Sequence, residues 1–142
     1  MINSLRDKEK LEKLPRKQQV QVAVYAAELV IPVTPIAVKS AAEMCIEVAK
    51  RWLKSEATAE ECIQVGDYAA EECEGSHLPN WTVWIAANAV WMAANHVDAS
   101  VYWAIHWLLE VPNSEEIIKK VSAFCDNLLN MDNHIEEVFL TD

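Results

Sequence analysis

Apolar positions along this chain recur at three- and four-residue spacing, the pattern of helices that each bury one face. A short basic segment with leucines from Leu5 to Leu14 runs up to Pro15, which suits the first position of a second helix. That helix extends to about Ile31 with Val20, Ala23, Val24, Ala27, Val30 and Ile31 on one face, and Pro32 and Pro35 stop it at a tight corner. A third, plainly amphipathic helix from about Ile36 to Lys54 sets Val38, Ala41, Ala42, Cys45, Ile46, Ala49, Trp52 and Leu53 against Lys39, Glu43, Glu47, Lys50, Arg51 and Lys54.

Thr58-Ala59-Glu60-Glu61 reads as a capping box, in which the Thr58 hydroxyl accepts from the Glu61 amide while the Glu61 carboxylate reaches back. A fourth helix therefore starts there and runs to Glu74, with Gly75 placed to take a left-handed C-terminal turn. Its predicted inner face is Ala59, Cys62, Ile63, Gly66, Ala69, Ala70 and Cys73; its outer face is Glu60, Glu61, Gln64, Asp67, Tyr68, Glu71, Glu72 and Glu74. Side chains as short as those on the inner face let a neighbouring helix come close, and the indoles that follow are candidates to fill the gap.

Asn80 is placed to cap a fifth helix to about His96, and Asp98 a sixth to about Glu110. Both are apolar all round and carry Trp81, Trp84, Trp91, Trp103 and Trp107. On a peripheral hairpin these would leave apolar surface in water, so the hairpin is either the buried centre of the bundle or half of a subunit interface. Core packing is the safer account of the indoles, with Asn88 and Asn95 on the same stripe to accept their N–H groups. After Pro112, Asn113 or Ser114 caps a last helix with Ile117, Ile118, Val121, Phe124, Cys125, Leu128 and Leu129 inward, and an acidic tail frays beyond Asp132. The predicted fold is a single all-α domain over residues 1–142. It is a helical bundle of six or seven helices with the Trp-rich hairpin at its centre, a basic segment at 1–14 and an acidic tail at 132–142.

Composition narrows the chemistry. A chain of 142 residues, 52% of them apolar, buries roughly 70% of its unfolded surface and needs neither metal nor disulfide to fold. Its two glycines argue against a Gly-rich phosphate loop, a dinucleotide fingerprint or a turn-dense sandwich. The net charge of −10 opposes nucleic acid and anionic lipid as partners. Its distribution is uneven: Met1 to Lys54 balances at +4, Ser55 to Ile118 has eleven acids and no Lys or Arg, and Lys119 to Asp142 balances at −3. Cys45, Cys62, Cys73 and Cys125 fall within apolar helical patterns, with no C-x-x-C pair and a charged start to the chain, so free thiols in a reducing cytoplasm are expected. The uncharged run from Leu78 to Val97 is interrupted by Pro79 and three asparagines and lacks flanking bases, which argues against a membrane span.

No catalytic constellation or cofactor motif stands out, and an enzyme is not the expected class. His106 and Glu110 have helical ligand spacing but no second half to complete a metal site, so a capping or core histidine is favoured. Glu74-Gly75-Ser76-His77 has the Glu-x-x-His spacing of di-iron bundles, yet Gly75 breaks the helix that such a site requires. The surviving signal is the acidic face formed by Glu60, Glu61, Asp67, Tyr68, Glu71, Glu72 and Glu74, which is suited to steering a basic protein to encounter.

The run Glu47-Val48-Ala49-Lys50-Arg51-Trp52-Leu53-Lys54-Ser55-Glu56-Ala57-Thr58-Ala59-Glu60-Glu61 resembles a family of bacterial and phage immunity proteins of polymorphic toxin systems, whose pattern is EVAERYL-x-GEAT-x-EEL before Ala-rich helices. The likeness covers roughly Ala41 to Glu110. It departs at Trp52, where the family has Tyr, at Ser55, where it has Gly, and in the Trp-rich hairpin that replaces Ala-Asp repeats. The resemblance implies a cytosolic, non-enzymatic helical binder. The expected function is thus an acidic inhibitor of the immunity type that neutralises a basic toxin or nuclease, with phage counter-defence using the same physics. The alternative is a structural or regulatory homodimer joined through the Trp-rich hairpin.

Overall fold

Among the described residues the chain forms seven α-helices and no strand: α1 (Lys8–Lys13), α2 (Arg16–Val30), α3 (Ile36–Leu53), α4 (Ala59–Glu74), α5 (Trp81–Ala93), α6 (Val101–His106) and α7 (Ser114–Leu140). Short 3-10 turns occupy Ile31–Val33 and Trp107–Glu110. The computed structural model describes residues 8–74, 80–96, 99–112 and 114–140. No helix among them is long and apolar enough to cross a membrane.

Helix α5 is the axis of the bundle. It packs against α2, α3, α4 and α6, and Thr82, Val83, Ile85, Ala86, Ala87, Asn88, Ala89, Val90, Met92 and Ala93 are all buried. Helix axes approach to about 8–10 Å only as far as the side chains between them permit, so a helix with neighbours on several sides needs small side chains. The Ala- and Val-rich body of α5 supplies them.

The indoles do not form that centre. Trp81, Trp84, Trp91 and Trp107 are half-buried and Trp103 is exposed. Trp84 stacks on Trp107 with centroids 6.3 Å apart and leans on Trp91 at 6.1 Å, a seam that fastens α5 to the second 3-10 turn. Only the first half of the predicted hairpin is therefore central; α6 is short and lies outside against α1, α2 and α5. Asn88 does not serve the indoles either: its side-chain amide donates to the Trp84 carbonyl at 2.9 Å. The buried Nε1 of Trp91 has no hydrogen-bond partner among the described residues.

The helix ends follow their local chemistry. At the end of α3, Ser55 takes φ 62°, and the amides of Ser55 and Glu56 donate to the carbonyls of Trp52 and Arg51 at 2.9 and 2.7 Å. At the end of α5, Asn95 takes φ 62°, and the amides of Asn95 and His96 donate to Met92 and Trp91 at 3.0 and 2.8 Å. Both are Schellman turns, and both use a residue other than glycine at the left-handed position. Gln19 closes α1 by donating its side-chain amide to the carbonyls of Leu14 and Glu12. Helix α6 is capped by Ser100, whose hydroxyl accepts from the Trp103 amide at 3.2 Å. Asn80 precedes α5 without a side-chain cap bond, while Gly75, Asp98 and Asn113 lie outside the described residues. The last helix continues to Leu140, past Asp132 where fraying was expected.

A buried polar link ties the α2–α3 corner to α5. The Thr34 hydroxyl donates to the Val30 carbonyl at 2.8 Å, which leaves the Thr82 hydroxyl as donor in the 2.7 Å bond between the two threonines.

The expected close approach of α4 is met at Gly66. A β-carbon there would fall 2.8 Å from Cδ1 and 2.9 Å from Cε2 of Trp91, and closer still to Nε1. Gly66→Ala should therefore lower stability by about 1–2 kcal/mol despite the better helix propensity of alanine. In a Trp91→Leu background the same change should be neutral or stabilising, and denaturant titration of the four proteins measures the coupling. Ser55→Gly should stabilise by about 0.5–1 kcal/mol by relieving the left-handed backbone, read as a rise of a few degrees in Tm.

Candidate functional site on the outer face of helix α4

Helix α4 presents one face to α3 and α5 and the other to water. Cys62, Val65, Gly66, Ala69 and Cys73 are buried. The inner stripe is rotated toward Val65 relative to the predicted one, which leaves Ala59 and Ile63 exposed rather than inward. Gly66, part of the predicted stripe, lies directly against Trp91.

Of the seven predicted site residues, Glu60, Asp67, Tyr68, Glu71, Glu72 and Glu74 are exposed, as expected. Glu61 is not available in the same way. Its amide donates to the Thr58 hydroxyl at 3.1 Å, which is half of the predicted capping box. Its carboxylate turns instead to Arg51, accepting from Nη2 at 2.9 Å. Arg51 also donates Nη1 to the Glu56 carbonyl at 3.2 Å and lies 3.7 Å from Glu47. The Glu61 carboxylate, by hydrogen bond and charge, pushes the Arg51 guanidinium above its ordinary range. The turn at Ser55 folds the last turn of α3 back onto the Thr58 cap, and that brings Arg51 and Glu61 together.

The other five carboxylates behave differently. Among the described residues, no Lys, Arg or His nitrogen lies within 4.0 Å of Glu60, Asp67, Glu71, Glu72 or Glu74. Glu60 has only a 3.5 Å contact from the Gln64 side-chain amide. Glu71, Glu72 and Glu74 crowd the C-terminal turns of α4, where no base is present. That end of a helix carries partial negative charge, so carboxylates there cost about 0.3–1 kcal/mol each where cations would stabilise. Tyr68, 45% exposed, stands among them with Asp67 beside it and Glu71 and Glu72 one turn on. A phenol ringed by unpaired carboxylates can stack with and hydrogen-bond to a cationic side chain.

The remaining candidates resolve structurally. All four cysteines are free and buried. Cys45 donates its thiol to the Val65 carbonyl of α4 at 3.7 Å, and burial, reinforced by Cys73 and Cys62, pushes its pKa up to about 12. Burial raises Cys125 to about 12 as well, and raises Cys62 and Cys73. Thiols held protonated in this way are packing groups rather than nucleophiles or metal ligands. His106 is neither cap nor core: it is exposed and packs against the rings of Trp103 and Tyr102 at 5.5 and 6.3 Å. The chain turns 3-10 after it, which removes the helical register with Glu110. No group of three or more His, Cys, Asp or Glu among the described residues could hold a metal ion. The Glu74-to-His77 spacing runs outside the described residues.

No protein-family model, no curated protein and no solved structure matches this chain.

The buried thiols make stability depend on pH in a definite direction. Above about pH 8.5 the thiols of the unfolded chain ionise while Cys45 and Cys125 keep their protons. The unfolded state then binds fewer protons, so stability is full below that pH and falls as pH rises toward 12, by up to about 1.4 kcal/mol per unit for each thiol. Urea titrations between pH 8 and pH 11 should show this decline, and Cys45→Ala with Cys125→Ala should flatten it.

Proposed function

We propose that this chain is a non-enzymatic binding protein of the immunity or inhibitor type, which captures a basic protein on the outer face of α4 and blocks its cationic surface. The observation that carries the reading is the set of five exposed carboxylates that have no cationic neighbour among the described residues, on the same helix face as Tyr68. Folding does not account for them: three sit at the wrong end of a helix dipole, and the chain has ten bases before residue 55 that could have been brought across. Among the described residues only Arg51 is, and it pairs with the carboxylate of Glu61, whose amide meets the Thr58 cap.

The physics of recognition follows from charge. An unscreened acidic face raises the rate at which a cationic protein arrives, and a half-exposed tyrosine gives the encounter a point of purchase once water is displaced. A toxin or nuclease whose substrate channel is lined with Lys and Arg is the partner class that such a face would occlude. The resemblance over residues 41–110 points the same way, as do four reduced thiols, which suit a cytoplasmic protein.

The test is binding to a panel of cationic nuclease and toxin domains, followed by calorimetry or surface plasmon resonance. A complex should form and weaken about tenfold or more as salt rises from about 50 to about 300 mM. Glu71→Lys with Glu72→Lys should weaken it at least tenfold, mainly through the association rate, while Glu61→Gln should leave it within about twofold. A complex insensitive both to salt and to the double charge reversal would remove this reading.

A further inference from the structure

Two contacts fix how α3 and α4 run past one another. The Cys45 thiol meets the Val65 carbonyl and Arg51 meets the Glu61 carboxylate, so the two helices are antiparallel. Helical spacing carries that seam outward. Glu61, Val65, Tyr68 and Glu72 follow one another along a single edge of α4, and Arg51, Glu47, Met44 and Ser40 along the facing edge of α3, each at three- and four-residue steps. The register therefore sets Met44 level with Tyr68, and these side chains are 42% and 45% exposed. Acids border the pair on both sides. Glu43 and Glu47 share with Met44 the lining of an open hollow of about 470 Å³ on the outer face of α3, in which Lys39 is the one base. Asp67 and Glu71 stand outside Tyr68 on α4. Among the described residues no base lies within 4.0 Å of Glu43, Asp67 or Glu71.

We infer that the α3–α4 groove, with Met44 and Tyr68 along its floor, receives a basic amphipathic helix of the captured protein. This rests on the reading of α4 as a capture face and says what the partner must offer. Carboxylates alone attract any cation. An exposed apolar pair between two rows of acids selects a ligand that is apolar along its centre and cationic on both flanks. The acids of each row, Glu43 with Glu47 and Asp67 with Glu71, are four residues apart. Lys and Arg at four-residue spacing on a helix laid along the groove repeat at the same pitch, which makes a helix the fitting shape. The unbranched thioether of Met44 adapts to the apolar side chain that enters, and the Tyr68 ring can stack with a guanidinium. A second copy of this chain is the wrong occupant, because its net charge of −10 sets acids against acids.

The probe is a fluorescein-labelled model helix of about 18 residues made of Leu and Lys with the leucines on one face, compared by anisotropy with an isomer whose leucines are spread around the helix. At about 150 mM salt the full chain should bind the amphipathic form at micromolar concentration and the isomer at least tenfold more weakly. Met44→Ser and Tyr68→Ser should each weaken binding about tenfold with circular dichroism unchanged, since both side chains already meet water. Lys39→Glu should strengthen it about twofold or more, and Trp103→Ser, on another exposed face, should leave it unchanged. Equal binding of the two peptides, or binding indifferent to Met44→Ser and Tyr68→Ser, would overturn the inference. So would a dimer of the free chain that Met44→Ser dissociates, because the groove would then hold a second copy. The two readings fail separately. Complexes with basic proteins that Glu71→Lys with Glu72→Lys breaks but Met44→Ser and Tyr68→Ser leave intact would keep the capture face and remove the groove. A model helix that docks as described, beside a toxin and nuclease panel that gives no complex, would keep the groove and remove the inhibitor reading.

Discussion

Enclosing one helix among several others sets the terms for this bundle. Helix α5 can be packed by α2, α3, α4 and α6 because most of its inward residues are alanine, valine and threonine and none is leucine or phenylalanine. Close axes then demand that the surrounding helices also be thin where they touch it. Gly66 against Trp91 is the extreme case, a bare backbone accommodating an indole. The same constraint expels the large rings to the flanks of α5, where Trp84, Trp91 and Trp107 form a seam. The one indole outside that seam on the outer helix, Trp103, is left half in water.

Much of this organisation can be read from periodicity. The starts and ends of α2, α3 and α4 fall within a residue or so of where proline, the Thr58 box and the apolar stripe place them. These are local signals, written in neighbours on the chain. What periodicity cannot express is which of two apolar sides turns inward when a helix is apolar all round. On α5 the spacing of Trp81, Trp84 and Trp91 suggests a tryptophan core, but small residues satisfy the packing and the indoles lie outside it. On α4 the buried stripe takes in Val65, whose carbonyl meets the Cys45 thiol of α3, and leaves Ile63 exposed, an orientation that contacts with other helices decide. The α4 acids were visible as an outward face, whereas the withdrawal of Glu61 depends on a turn with Ser55 at positive φ, a conformation that composition does not announce.

That withdrawal separates two uses of the same side-chain chemistry. Arg51 holds Glu61, the Glu56 carbonyl and the flank of Glu47, and so joins the end of α3 to the beginning of α4. Lys50 likewise reaches back to Glu28 on α2 at 2.8 Å. Two bases of the first third of the chain thus serve joints between helices, and among the described residues the carboxylates further along α4 receive no base. Beneath that face Cys45, Cys62 and Cys73 form a buried layer whose burial favours the neutral thiol, while the carboxylates lie on the outer side of the helix.

The absence of Lys and Arg between Ser55 and Ile118 reaches beyond electrostatics. Helices α4, α5 and α6 offer no primary amine for acylation, ubiquitin conjugation or amine-directed crosslinking, and no bond that trypsin would cut. Exposed carboxylates and aromatic rings are the reactive handles of this block. A covalent map of what it touches has to be drawn from its acids, with carbodiimide joining them to the amines of whatever lies against them.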